Sequence, residues 1–183
     1  MKKTISFVFA AVLVLTASAA HAQKKDPMVG GAAMYPTKNI VQNAVNSKDH
    51  TTLVAAVKAA GLVQTLESPG PFTVFAPTNE AFDKLPAGTV DTLLKPENKA
   101  KLQAILKYHV VAGEITTKKL HKMIKQGMGK ATLTTVEGGV LTATEKHGHY
   151  YITDSKGDKA EITIPNVYQS NGIIQVINTV LLP

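Results

Sequence analysis

Residues 72–82 read FTVFAPTNEAF and directly follow the break Pro69-Gly70-Pro71. The first four of these residues are aromatic or β-branched and lie between prolines, a pattern that predicts a short buried strand. Thr78 is a favourable N-cap residue, so a helix should begin at Asn79. We therefore predict that the chain passes from a buried strand into a short helix within this stretch.

The segments on either side of this stretch differ in their hydrophobic period. Upstream, and again downstream as far as residue 126, apolar residues recur mainly at helical spacing, with a strand predicted at 108–111. From Ala131 onward the period becomes two, and the strand candidates are 132–136, 140–144, 150–153, 160–164 and 173–182. Helices followed by antiparallel strands predict the α+β fold class.

The first 22 residues have the features of an export signal. Lys2 and Lys3 precede an apolar stretch over 5–15, and Ala20-His21-Ala22 provides a small-x-small cleavage pattern. We predict a signal peptide over 1–22, a flexible leader over 23–37 and one folded domain over 38–183. The apolar stretch is too short for a transmembrane anchor. We therefore expect export to the periplasm, the cell surface or the extracellular space.

The charge and composition exclude several classes of function. All 20 cationic residues are lysine, and cysteine and tryptophan are absent. Because arginine is the usual reader of bases and phosphates, specific nucleic-acid binding is not expected. A helix predicted over 117–126 places four lysines on one face, where weak contact with anionic surfaces is expected; they are Lys118, Lys119, Lys122 and Lys125.

The remaining polar clusters do not match known catalytic or metal-binding patterns. His147 and His149 are spaced as a metal pair on a strand, but Gly148 between them favours a solvated turn. Asp154, Asp158 and Glu161 surround a glycine without the spacing of a calcium loop. No nucleophile elbow, phosphate loop or dinucleotide fingerprint occurs. We therefore predict no enzyme, no cofactor and no metal site.

Three segments in order resemble the signatures of the fasciclin (FAS1) domain family. They are residues 72–82, residues 106–113 (LKYHVVAG) and residues 170–183 (SNGIIQVINTVLLP). The resemblance spans roughly 37–183 and implies a wedge-shaped β-sandwich packed with helices. It also implies adhesion or matrix binding through protein or glycan partners, with Tyr108 and His109 as candidate partner-binding residues.

The chain departs from the pattern that this resemblance implies at three positions. The closing signature usually has His and Asp where this chain has Gln175 and Asn178. The loop that carries an acidic residue in integrin-binding relatives corresponds to Pro165, Asn166 and Val167, with the amide of Asn166 in the acidic place. An amide cannot supply the carboxylate that completes an integrin's metal site, so integrin binding is not expected.

The sequence therefore supports two functional hypotheses. The first is an exported adhesion module that binds a cell-surface or matrix protein or glycan. The alternative is a periplasmic carrier of a small apolar ligand or lipid, docked through its lysine-rich helix.

Overall fold

The computed structural model describes residues 26–183, so the predicted signal peptide lies outside the described residues. Within that range no helix is long and apolar enough to cross a membrane. The first half of the domain is mainly helical, with α1 (Ile40–Ala44), α2 (Thr51–Ala60), α3 (Val63–Glu67), α4 (Asn79–Asp83), α5 (Thr89–Leu94) and α6 (Lys99–Tyr108). One more helix, α7 (Thr117–Gln126), precedes the strands of the second half.

The strands form a two-stranded hairpin and one seven-stranded sheet. The hairpin consists of β1 (Met28–Val29) and β2 (Ala32–Ala33). The large sheet has the order β4-β3-β9-β8-β7-β6-β5. Its strands are β3 (Phe72–Pro77), β4 (Val110–Ala112), β5 (Lys130–Thr134), β6 (Val140–Lys146), β7 (His149–Thr153), β8 (Lys159–Gln169) and β9 (Gly172–Ile177).

The two edges of the large sheet meet, which turns it into two facing layers. β4 and β5 are its terminal strands, yet Val111 and Thr135 form an antiparallel bridge between them. The Val136 amide also donates to the Val110 carbonyl at 2.7 Å. With helices packed against the layers, this is the α+β sandwich that the sequence predicts.

The central pair of strands, β3 and β9, separates two hydrophobic clusters. Side chains alternate along a strand, so Val74 and Ile174 point to the helical side while Phe75 and Ile177 point to the opposite side. The first cluster lies under α1 to α6, and the second lies between α7 and strands β5 to β8. The domain therefore has two hydrophobic cores, one on each side of β3 and β9.

The local predictions around residues 72–82 are confirmed. The strand β3 covers 72–77, and the Thr78 hydroxyl accepts a hydrogen bond from the Ala81 amide at 3.3 Å, which caps α4. Helix α7 has the predicted bounds. Tyr108, predicted as strand, is instead the last residue of α6.

The described part of the predicted leader differs from the prediction. The hairpin of β1 and β2 lies inside residues 23–37, and Val29 and Met34 are buried in the helical core cluster. The Lys48 amide donates to the Gly30 carbonyl at 3.1 Å, which ties the hairpin to the domain. The packed domain therefore begins before residue 38, because two apolar side chains of this segment fill the core.

Candidate functional site

Tyr108, a predicted partner-binding residue, lies in the interior. Its side chain is 1% exposed in the cluster between α7 and the strands. The hydroxyl donates to the Val140 carbonyl at 2.8 Å and accepts from the Ser155 amide at 3.0 Å. The phenol hydroxyl both donates and accepts, which joins the end of α6 to the start of β6 and to the turn after β7, so the role of this side chain is structural.

His109, its predicted companion, is 3% exposed and also fully hydrogen-bonded. Its Nδ1 lies 2.9 Å from the Ile105 carbonyl, which can only accept, so Nδ1 carries the proton. Its Nε2 accepts from the Leu181 amide at 3.0 Å. Burial lowers the pKa of His109 to about 4, against opposing effects of the Ile105 carbonyl and the Asp154 charge. The neutral imidazole therefore anchors the C-terminal segment to α6.

Asp154, from the carboxylate cluster noted in the sequence, anchors the same segment. One carboxylate oxygen accepts from the Lys156 and Asp158 amides at 3.0 and 2.9 Å, and the other accepts from the Leu182 amide at 2.8 Å. Asp154 is 7% exposed, so a carboxylate without these donors would be costly at this place. This group organises a turn and the chain end, and it is not placed to act as an acid or base on a ligand in solution.

The two histidines that the sequence offers as a metal pair have different surroundings. His149 pairs with Glu161, with Nδ1 and Oε1 separated by 2.7 Å. His147 is exposed in the turn between β6 and β7 with a positive φ of 53°. Among residues 26–183 no group of three or more potential ligands could hold a metal ion.

The segment 165–167 is a bulge inside β8. Opposite β9, Ile164 pairs with Val176 and Val167 with Ile174, so β8 contains one extra residue here. Asn166 adopts a φ of 56°, a left-handed conformation that asparagine tolerates better than most residues. Val167 is fully buried, and Pro165 is the exposed member of the three.

Asn166 and Gln175, two departures from the resemblance, are in direct contact. Gln175 is fully buried; its Oε1 accepts from the Asn166 amide at 2.9 Å, and its Nε2 donates to the Ile115 carbonyl at 2.9 Å and to Asn166 Oδ1 at 3.2 Å. The resemblance singles out both positions in the sequence, but only the fold shows that they lie together. A neutral amide pair thus occupies the two positions at which the resemblance implies a histidine and, in integrin-binding relatives, an acidic residue.

The Asn166 side chain also holds the start of α7. Its Oδ1 accepts from the Thr117 amide at 2.9 Å, and its Nδ2 donates to the Thr117 hydroxyl at 2.7 Å. The Thr116 hydroxyl accepts from the Lys119 amide at 3.2 Å and completes the N-cap. The bulge in β8 therefore fixes the position and direction of the lysine-bearing helix.

The outer face of α7 is the clearest exposed feature among the predicted site residues. Leu120 and Ile124 are buried beneath the helix, whereas its four predicted lysines are all exposed: Lys118, Lys119, Lys122 and Lys125. None of the four forms a salt bridge within residues 26–183. We call these four residues the α7 lysine surface. Its four charges are not paired with carboxylates of the described residues, so the surface is suited to an extended anion.

Substitution of Asn166 tests its role in the bulge. Asn166→Ala should lower the free energy of unfolding by about 2–4 kcal/mol, since it removes three side-chain hydrogen bonds and alanine tolerates this positive φ less well than asparagine. Asn166→Gly should be milder by about 1 kcal/mol because glycine adopts this φ freely. Asn166→Asp, which keeps the acceptor oxygen near the helix N-terminus, should be the mildest of the three. Urea unfolding measures the order, and an unaffected Ala variant would contradict this role.

The pH dependence of stability tests the environment of His109. Because its folded pKa of about 4 lies below the unfolded value near 6.5, the unfolded state binds more protons between these values. The free energy of unfolding should therefore fall by about 3 kcal/mol from this group as the pH is lowered from 6.5 to 4.

His109→Gln should remove that part of the slope. Tyr108→Phe serves as the matched control, since it deletes buried hydrogen bonds at the same helix end but keeps the imidazole. The control should be less stable at every pH with the slope unchanged. Equal slopes in the wild type and the Gln variant would show that His109 is not buried as described.

Comparison with known proteins agrees with the geometry. The family model described as "Fasciclin domain" matches residues 48–183. Protein sll1483 of Synechocystis sp. is 45% identical over 160 residues, which cover 87% of this chain and 82% of that protein. The cell surface glycolipoprotein MPB83 of Mycobacterium bovis is 32% identical over 159 residues, 87% of this chain and 61% of that protein.

A solved structure shows the same fold. The FAS1 domain pair from the insect cell adhesion molecule fasciclin I matches with a TM-score of 0.70 at 23% sequence identity, over 80% of this chain and 51% of that chain. The resemblance stated from the three segments and the predicted fold are therefore both confirmed. This chain belongs to the fasciclin domain family.

Proposed function

We propose that this chain is an exported adhesion module that binds an anionic polysaccharide of the cell surface or matrix through the α7 lysine surface. The observation that carries the proposal is the set of four exposed lysines without salt bridges on one short helix. Relatives support a surface role, because MPB83 is named a cell surface glycolipoprotein and fasciclin I a cell adhesion molecule.

Helix α7 is held firmly against the domain. This favours a binding role for its lysines over that of an ordinary solvated helix face. The helix is capped by Thr116, held by Asn166 and packed through Leu120 and Ile124 onto the second core. The lysine stems are therefore displayed from a fixed backbone, which lowers the entropy lost when a polymer binds. Binding, rather than catalysis, also agrees with the full engagement of His109 and Asp154 in internal hydrogen bonds.

The proposal is tested by binding of the predicted mature chain, residues 23–183, to alginate as a defined anionic polysaccharide. The variant carries glutamine at all four positions of the α7 lysine surface. Charged contacts of this kind contribute about 1 kcal/mol per lysine near an anionic surface, so affinity should fall at least about tenfold. Wild-type binding should also weaken steeply between 0.05 and 1 M salt, because screening shortens the range of the interaction.

A matched control removes the same charge elsewhere. Lysines that are exposed and scattered over other elements are changed to glutamine, namely Lys48, Lys95, Lys101 and Lys156. The control should bind like the wild type. Equal losses of affinity in both variants would show that binding depends on net charge alone and not on α7. Binding that survives 1 M salt would overturn the role of the lysines.

A specific observation also favours the carrier alternative. The helical half of the domain contains a cavity of about 80 Å³ lined mainly by apolar side chains. Native mass spectrometry of protein purified from the producing cells tests carriage directly. A single mass equal to that of the chain alone would count against this function and would leave the lysine-surface proposal intact.

A further inference from the structure

The cavity lies between α1 to α3, the strand β3 and the end of α6. Its lining includes Ile40, Leu53, Val57, Leu62, Phe72 and Leu106. The volume of about 80 Å³ is several times the roughly 10–15 Å³ that one water needs, so the cavity has room for a small organic molecule. An apolar cavity of this size suits a compact molecule such as a single ring.

Among the polar side chains that line this cavity, His50 has a buried ring nitrogen without a partner in the described residues. His50 ends the 3₁₀ turn before α2, is 4% exposed and lines the cavity. Its Nδ1 lies 2.9 Å from the Ser47 hydroxyl, whereas its Nε2 has no hydrogen-bond partner within residues 26–183. A buried nitrogen without a partner destabilises the folded state, so a ligand group that binds Nε2 relieves this cost.

The neighbours of His50 indicate which ring nitrogen carries the proton. Burial lowers the pKa of His50, against opposing effects of the Ala76 carbonyl and the Asp49 charge, so the ring is neutral near pH 7. Within the described residues, the buried Ser47 hydroxyl has Nδ1 as its hydrogen-bond partner, and a proton on Nδ1 would leave the hydroxyl hydrogen without an acceptor, so we assign the hydroxyl as the donor. The ring proton then lies on Nε2. The Ala76 carbonyl is close enough to influence the pKa but does not meet the geometry of a hydrogen bond to Nε2.

The cavity has a route to solvent. It is only partly enclosed, and its lining includes the exposed side chains of Lys58, Thr65 and Val136 together with the half-buried Lys107. A small molecule can therefore enter without unfolding of the helical half. The combination needed inside is an apolar body and one oxygen that accepts from Nε2–H.

We propose that this cavity is a binding site for a small phenol, held by a hydrogen bond from Nε2–H of His50 to the phenolic oxygen. The aromatic ring occupies the apolar space, and the Ala76 carbonyl, on the cavity wall, can accept the phenolic proton. This site is separate from α7, so the inference does not depend on the polysaccharide proposal. It names a ligand class for the carrier alternative.

The experiment compares p-cresol with toluene, which have similar bodies but differ in the hydroxyl group. Isothermal titration calorimetry of residues 23–183 should give saturable binding of p-cresol at least as tight as that of toluene. In His50→Leu the affinity ratio of p-cresol to toluene should fall about tenfold, since the ligand hydroxyl loses the Nε2–H donor. Ala44→Leu, which adds bulk at the cavity wall, should weaken both ligands.

A second readout needs no variant and therefore remains decisive if His50→Leu does not fold. The ¹⁵N resonance of His50 Nε2 in the wild type should shift on addition of p-cresol and much less on addition of toluene. No saturable binding of either compound at millimolar concentration would overturn the proposal. An unchanged p-cresol to toluene ratio in the Leu variant, or equal ¹⁵N shifts with both compounds, would overturn the role of His50.

Discussion

The parallel pairing of β3 with β9 is the interaction on which the rest of the structure depends. It joins segments 100 residues apart in register, from Phe72 with Gly172 to Pro77 with Ile177. Every residue of β9 is buried, since β8 lies on its other side and a hydrophobic cluster covers each face. Gly172 permits the close approach, because a Cβ at this position would lie 2.1 Å from the Phe72 carbonyl oxygen. The family's first and closing signatures are therefore two halves of one structural element.

Buried polar side chains extend this element to the rest of the chain. Asn171, directly before β9, accepts from the Ile40 amide and donates to the Leu66 and Ser68 carbonyls, which fixes the first helices. After β9, His109 and Asp154 hold the amides of Leu181 and Leu182. These buried side chains of the signatures therefore hold the fold together. The two binding sites that we propose, the α7 lysine surface and the His50 cavity, each depend on polar side chains that lie outside the signatures.

The fold was largely predictable from the sequence because its strongest signals are local. The N-cap at Thr78, the bounds of α7 and the change of period near Ala131 depend on neighbouring residues alone. The hairpin at 28–33 was missed since its strands have only two residues each and owe their order to tertiary packing of Val29 and Met34.

The candidate sites were less predictable because they depend on distant contacts. An aromatic-histidine pair between apolar residues can lie on a surface or in a core, and only the turns that close over Tyr108 and His109 decide between them. The contact between Asn166 and Gln175 requires a bulge in β8 that no local pattern signals. His50 had no partner in the sequence, and its cavity exists only between assembled helices. The lysine face was predictable, since helical spacing alone places its members together.

The central claim is that the signatures build the fold while binding takes place on α7. Its most direct test is a ¹H–¹⁵N NMR titration of residues 23–183 with a short alginate oligosaccharide, in which every backbone amide reports on its own surroundings. The account predicts that the amide shifts concentrate on residues 117–126, with residues 108–109 and 165–167 moving little. Shifts centred on Tyr108 and His109 or on Asn166 and Val167, with α7 unaffected, would contradict it.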